Sequence, residues 1–187
     1  MRRFQISEWC RRFAEEVVRP GDLCMDATAG TGQDTVFLAR LVGERGMVLA
    51  YDIQEEALKQ TRERLKREGL ETRVRLIRKS HAAMEEDAGE GEASCIMFNF
   101  GYLPGGDHTI STKPETSVMA VDAGLRILKP GGLMCLCIYS GKDTGYEEKR
   151  ALLTHLKTLD QRQYLVIVSE YYNRKNDPPI PVLIYKK

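Results

Sequence analysis

Short apolar runs alternate along this chain, from end to end, with stretches whose apolar residues recur at helical spacing. Runs without polar residues suit strands buried on both faces, and the stretches between them suit helices with one apolar side. The alternation predicts one α/β unit, a mostly parallel sheet with helices on both faces. No Pro/Ser-rich linker or internal repeat interrupts it, so residues 1–187 read as a single domain.

The first helix is expected where Ile6, Trp9, Cys10, Phe13 and Val17 recur at helical spacing, and it stops at Pro20 and Gly21. Strands are expected over 23–25, 47–51, 74–77, 95–98 and 133–139. A helix with Phe37, Leu38 and Leu41 joins the first two, and a charged helix with Glu55/Lys59 and Glu63/Arg67 pairs follows the second. Thr112, Pro114 and Glu115 read as a capping box for a helix that buries Val118, Val121, Leu125 and Leu128. A helix capped by Thr144 and Glu147 and burying Leu152, Leu153 and Leu156 precedes two last strands, 164–169 and 181–185, which read as an antiparallel hairpin at the sheet edge.

Composition narrows the partners only a little. Lys and Arg number 28 against 27 Asp and Glu, a formal charge of +1, so no overall field draws the chain to nucleic acid or membrane. No run approaches the roughly 18 apolar residues of a membrane span, and the charged amino terminus has no signal-peptide core. A cytoplasmic protein without membrane contact is the expectation. The five cysteines lack Cys-x-x-Cys spacing, and Cys24, Cys95, Cys135 and Cys137 sit in apolar runs, so they read as buried thiols; no metal site is expected.

The stretch from Asp26 through Gly30, Thr31, Gly32 and Gln33 to Asp34 follows the first strand and opens a helix, where α/β sheets bind nucleotide-like ligands. Its glycines would let a ligand approach the backbone closely. A dinucleotide fingerprint would need glycine where Thr35 stands, and the Gly-Lys-Ser/Thr of a P-loop is absent. Asp26 suits a cationic amino group better than a pyrophosphate. Asp52, ending the second strand, is placed to accept hydrogen bonds from two ribose hydroxyls. An ordinary strand-to-helix turn, with Asp52 capping the next helix, is the plainer alternative.

Alternating strand–helix units ending in a hairpin resemble the Rossmann-like fold of class I S-adenosylmethionine-dependent methyltransferases, a seven-stranded, mostly parallel sheet with an antiparallel C-terminal hairpin. More specifically, DATAGTGQDT (26–35), DIQ (52–54), KSH (79–81), NFGYLPGGD (99–107), YSGK (139–142) and NDPP (176–179) resemble the bacterial tRNA 5-aminomethyl-2-thiouridine methyltransferase family, formerly labelled rRNA methylases. The resemblance covers essentially the whole chain. It implies S-adenosylmethionine as cofactor and methylation of the exocyclic amine of 5-aminomethyl-2-thiouridine at the tRNA wobble position, in the anticodon region. By motif position, Thr31, Gln33, Asp34, Asp52, Gln54, Ser80 and His81 would line the cofactor pocket, with Asp26, Gly30, Gly32 and Asn99 beside them. Thr31 and Phe100 stand where many relatives have Asn and Leu, and Ser140 and Lys142 replace two histidines common in that block, so no imidazole base is implied there.

Methyl transfer to an amine needs a neutral nitrogen whose lone pair faces the methyl group. Asn99-Phe-Gly-Tyr102 is similar to the Asn-Pro-Pro-Tyr motif of N-methyltransferases. The expected roles are Asn99 as orienter, Tyr102 as a platform for the base and Asp107 as proton acceptor. Tyr139, Lys142, Arg174, Lys175, Asn176 and Asp177 are expected to contact substrate. Between Lys59 and Lys79 lie nine Lys/Arg and three acids, whereas 84–92 carries five acids and no base; Arg2, Arg3, Arg11 and Arg12 add further candidate phosphate contacts, while a solvated helix face is the plainer reading of Lys59 to Arg67. Methylation of rRNA or a small amine, a nicotinamide-dependent oxidoreductase and a non-catalytic cofactor-binding module stay open, as does a homodimer.

Overall fold

The computed structural model describes residues 5–101, 112–140 and 145–187. Its elements are α1 (Ile6–Val17), β1 (Leu23–Asp26), α2 (Gln33–Val42), β2 (Met47–Tyr51), α3 (Glu55–Glu68), β3 (Val74–Ile77), β4 (Ala93–Phe100), α4 (Pro114–Ile127), β5 (Leu128–Ile138), α5 (Gly145–Leu156), β6 (Tyr164–Val168) and β7 (Ile180–Lys186). The sheet runs β3-β2-β1-β4-β5-β7-β6, parallel except at β7, which pairs antiparallel with β5 and β6. This is the class I methyltransferase arrangement that the resemblance implies.

Period-two alternation divides the core. In β4, Cys95 and Met97 pack with α1, α2 and Leu65 of α3, whereas Ile96, Phe98 and Phe100 pack with α4 and α5. The central strands β4 and β5 are buried along almost their whole length, while β6, at the edge, leaves Leu165, Ile167 and Val168 exposed. All five cysteines are buried free thiols; Cys10 of α1 lies 3.6 Å, sulfur to sulfur, from Cys137 of β5.

Several local expectations are corrected. The Thr112 hydroxyl caps no helix: Lys113 occupies the N-cap position of α4, and Thr112 donates instead to Glu148 of α5. Glu55 pairs with Arg78 across the α3–β3 connection at 2.8 Å, because β3 returns parallel to β2 and brings Arg78 over the start of α3. Strand β5 begins at Leu128 rather than 133, since Leu128 pairs with Ala93 ahead of a register shift in β4. No helix among the described residues is long and apolar enough to cross a membrane.

Candidate active site

From β1 the sheet order proceeds outward in both directions, to β2 and β3 on one side and to β4 and β5 on the other. At such a switch point the loops after the strands diverge and leave a crevice beyond their carboxyl ends. Three of the expected residues meet there: Asp26 ends β1, Asp52 follows β2 and Asn99 stands near the end of β4.

The Gly-rich turn is built from two sides. Gly32 is left-handed at φ +77° and heads α2, and a Cβ there would lie 2.9 Å from Thr61 Oγ1 on α3. Its small size therefore serves helix packing and the turn. Thr61 donates its hydroxyl to the Gly30 carbonyl at 3.0 Å, and Arg64 donates Nε to the Thr31 carbonyl at 2.7 Å. Neither residue stood out in the sequence, although their separation of three residues puts them on one face of a helix.

Asp52 is half-buried, and its oxygens accept from the Gly30 and Gln54 amides at 3.0 and 2.9 Å. Those bonds fix the carboxylate and leave lone pairs for further donors. Burial nevertheless raises its pKa, with the backbone bonds opposing the shift. Thr31 and Gln54 are half-buried and Gln33 is exposed around this crevice.

Asp26 departs from expectation. It is fully buried and accepts from the Thr35 hydroxyl at 2.6 Å and the Thr28 amide at 3.2 Å. Burial, reinforced by the neighbouring Asp34 charge, pushes its pKa up to about 7. With no accessible surface it braces the turn and makes no direct contact with a ligand in this arrangement. Thr35, which displaces the dinucleotide glycine, is the donor that holds it.

Asn99 continues the Cys95–Met97 face of β4 and so points toward α1 and α2. Its Nδ2 donates to Asp34 Oδ2 at 2.8 Å, and its backbone amide donates to Thr28 Oγ1 at 2.7 Å. The other oxygen of Asp34 accepts from Arg11 Nε and Nη2 at 2.7 and 2.6 Å, while Arg11 also pairs with Glu8 and stands over the Phe37 ring. Arg11 is thereby committed inward and is withdrawn from the phosphate-contact set.

His81, in a short 3-10 turn capped by the Ser80 hydroxyl, lies edge-on to Phe98 and Phe100. Burial lowers its pKa, with the Ala27 carbonyl opposing, so the ring is neutral at physiological pH. Its Nε2 is buried without a hydrogen-bond partner among the described residues.

Around the opposite rim, Tyr139 is exposed after β5, with its ring against Gly101. Arg174 lies over Tyr171 at 3.9 Å, and Lys175 is exposed. Asn176 and Asp177 take left-handed backbone, and Asp177 pairs with Lys149 at 2.6 Å, which lowers its pKa. Arg2, Arg3, Tyr102, Asp107 and Lys142, and the Thr144 expected to cap α5, lie outside the described residues. The basic stretch leading to Lys79 is partly consumed by pairing of Arg75 and Lys79 with Asp87 and of Arg78 with Glu55.

The family described as "Putative rRNA methylase" matches residues 48–185. A crystal structure of the same description from Clostridium thermocellum is 41% identical, covers 98% of each chain and superposes with a TM-score of 0.94. A "putative methyltransferase" from Streptococcus mutans, in complex with SAH, is 34% identical over 98% of each chain with a TM-score of 0.89. The Arabidopsis thaliana protein named tRNA (mnm(5)s(2)U34)-methyltransferase, chloroplastic, is 35% identical over 91% of this chain, which spans 65% of that relative's length.

Proposed function

The chain belongs to the rRNA methylase family matched above, and from that premise we propose that it transfers a methyl group from S-adenosylmethionine to the exocyclic amine of 5-aminomethyl-2-thiouridine at the tRNA wobble position, giving 5-methylaminomethyl-2-thiouridine. One observation carries this reading: at the switch point beside the Gly-rich turn, the Asn99 amide has its NH2 end bound to Asp34. A carboxylate tolerates only the NH2 end opposite it, so the Asn99 carbonyl is directed away, available to an amine. The name of the Arabidopsis relative supports the choice of acceptor, and the SAH complex of the Streptococcus mutans structure supports the choice of cofactor.

The residues present fit S-adenosylmethionine. Asp52 offers anchored oxygens to ribose hydroxyls, and Gly30, Thr31, Gln33 and Gln54 surround the same crevice. A pyrophosphate fits poorly, because Asp34 stands in the first turn of α2 where a phosphate would seek the helix N-terminus. When bound, S-adenosylmethionine supplies an electrophilic methyl carbon on a sulfonium.

The chain's own contribution is orientation and proton handling. Primary amines of this kind titrate at roughly pH 8 or above, so the acceptor must be held neutral. Asn99 Oδ1 accepts one N–H of the amine and aims its lone pair, Tyr102 stacks on the base, and Asp107 takes the proton that the amine loses. Tyr139, Asn176 and Asp177 border the base, while Lys142, Arg174 and Lys175 contact phosphates of the anticodon arm.

Nucleoside mass spectrometry tests the proposal on tRNA carrying 5-aminomethyl-2-thiouridine, incubated with the purified protein and S-adenosylmethionine. The expected result is a gain of one methyl on that nucleoside. No gain, from protein that demonstrably binds the cofactor, would overturn the acceptor assignment and leave the fold and pocket standing.

A further inference from the structure

Glu148 sits in the first turn of α5 at 1% exposure, yet its partners are hydroxyls. Ser117 of α4 donates to Oε1 at 2.5 Å and Thr112 donates to Oε2 at 2.8 Å, whereas the adjacent Lys149 pairs with Asp177. Taking a carboxylate out of water is costly unless its lone pairs are met. A leucine in its place would continue the apolar row of Leu152 and Leu156 at four-residue spacing. The position carries an acid where packing alone asks for a hydrocarbon, so the reason lies in what the acid holds.

It holds a clasp. Thr112 Oγ1 accepts the Gly101 amide at 2.9 Å, and the Thr112 amide donates to the Gly101 carbonyl at 3.0 Å. These two bonds tie Thr112, ahead of α4, to Gly101 at the end of β4. Gly101 has φ +151°, a conformation that side chains disfavour, and it follows Asn99 by two residues. Thr112 has one hydroxyl proton and spends it on Glu148, which turns the oxygen's lone pairs toward Gly101.

We propose that Glu148 is a positioning residue for the acceptor: through the Thr112 hydroxyl it fixes Gly101 at the end of β4, two residues after Asn99, and it does not touch the cofactor. The inference rests on the proposed tRNA methylation for its activity readout. Ser117 supplies an internal control, because it bonds the same carboxylate but does not reach Gly101 in the network. If Glu148 served stability alone, losing either hydroxyl would act alike.

The test compares Thr112→Val, Thr112→Ser, Ser117→Ala and Glu148→Gln with wild type. Amide hydrogen exchange at Gly101 and Thr112 reads the clasp directly, S-adenosylmethionine affinity is taken by calorimetry, and kcat and KM are taken on tRNA. Thr112→Val and Glu148→Gln are expected to speed exchange at both amides by on the order of tenfold. They should lower kcat/KM for tRNA by roughly tenfold to a hundredfold, with cofactor affinity within about twofold. Thr112→Ser should restore both readouts, and Ser117→Ala should leave both near wild type. Unchanged exchange in Thr112→Val, or equal losses in Thr112→Val and Ser117→Ala, would overturn the proposal. Should the wild type methylate no tRNA at all, the proposed function and the acceptor role fall together, and exchange alone still decides the clasp.

Discussion

Asn99 Nδ2 donates to Asp34 Oδ2 across 2.8 Å, joining the carboxyl end of β4 to the first turn of α2. Because Arg11 holds the other Asp34 oxygen, an arginine on the first helix sets the rotamer of an amide at the switch point. That relationship yields the first prediction. Asn99→Ala should reduce kcat for tRNA by roughly a hundredfold, and Arg11→Met by roughly tenfold, both with S-adenosylmethionine affinity nearly unchanged. Arg11→Lys, which keeps the charge but loses the fork, should recover part of the loss. Full turnover in Asn99→Ala would remove that residue from the mechanism.

Asp52 is braced by two amides, so its loss affects ligand and turn together. Asp52→Ala is expected to weaken S-adenosylmethionine binding by roughly tenfold to a hundredfold, as two charge-assisted hydrogen bonds would. Calorimetric titration checks this. An unaltered affinity would confine Asp52 to holding the loop.

A pH dependence follows from Asp26, whose pKa rises to about 7 in the fold from an ordinary value of 3.8. Between those values the folded chain keeps a proton that the unfolded chain has released, so stability falls as pH rises through the window and levels off above it. Asp26→Asn removes that contribution. The melting temperature of the variant relative to wild type should therefore climb from about pH 4 to about pH 7, followed by circular dichroism. Parallel curves for the two proteins would contradict the assignment.

For the tRNA footprint, reversing Lys142, Arg174 and Lys175 to Glu should weaken tRNA binding and flatten the log–log salt slope by roughly 2 to 3, while sparing S-adenosylmethionine affinity. Fluorescence anisotropy at several salt concentrations measures both quantities. A triple variant that binds tRNA as wild type does would place the contact elsewhere.

Much of the fold was legible because each strand and helix is a local pattern. The apolar run at β5 and the helical spacing of Ile6, Cys10 and Val17 dictate their elements whatever the partners. The glycines of the first turn and the acid after β2 likewise marked the crevice, since backbone conformation and strand ends are sequence-local properties. What the residues of the turn touch was a different matter. Asp26 and Asp34 are both acids of one motif, yet one is sealed behind Thr35 and the other is shared by Arg11 and Asn99. Only the tertiary packing that brings α1 and the end of β4 to the start of α2 decides that, through contacts 23 and 65 residues apart in the chain.

Glu148 marks the same boundary. The sequence by itself determined that it shares a helix face with Leu152 and Leu156, because a 3.6-residue period leaves no other outcome. That the acid meets Thr112 and Ser117, and through Thr112 the end of β4, was decided by tertiary structure, since hydrogen bonds across 36 and 31 residues exist only once α4 and α5 pack on one face of the sheet. Periodicity fixes which way a side chain points, whereas the assembled sheet and helices fix what it meets.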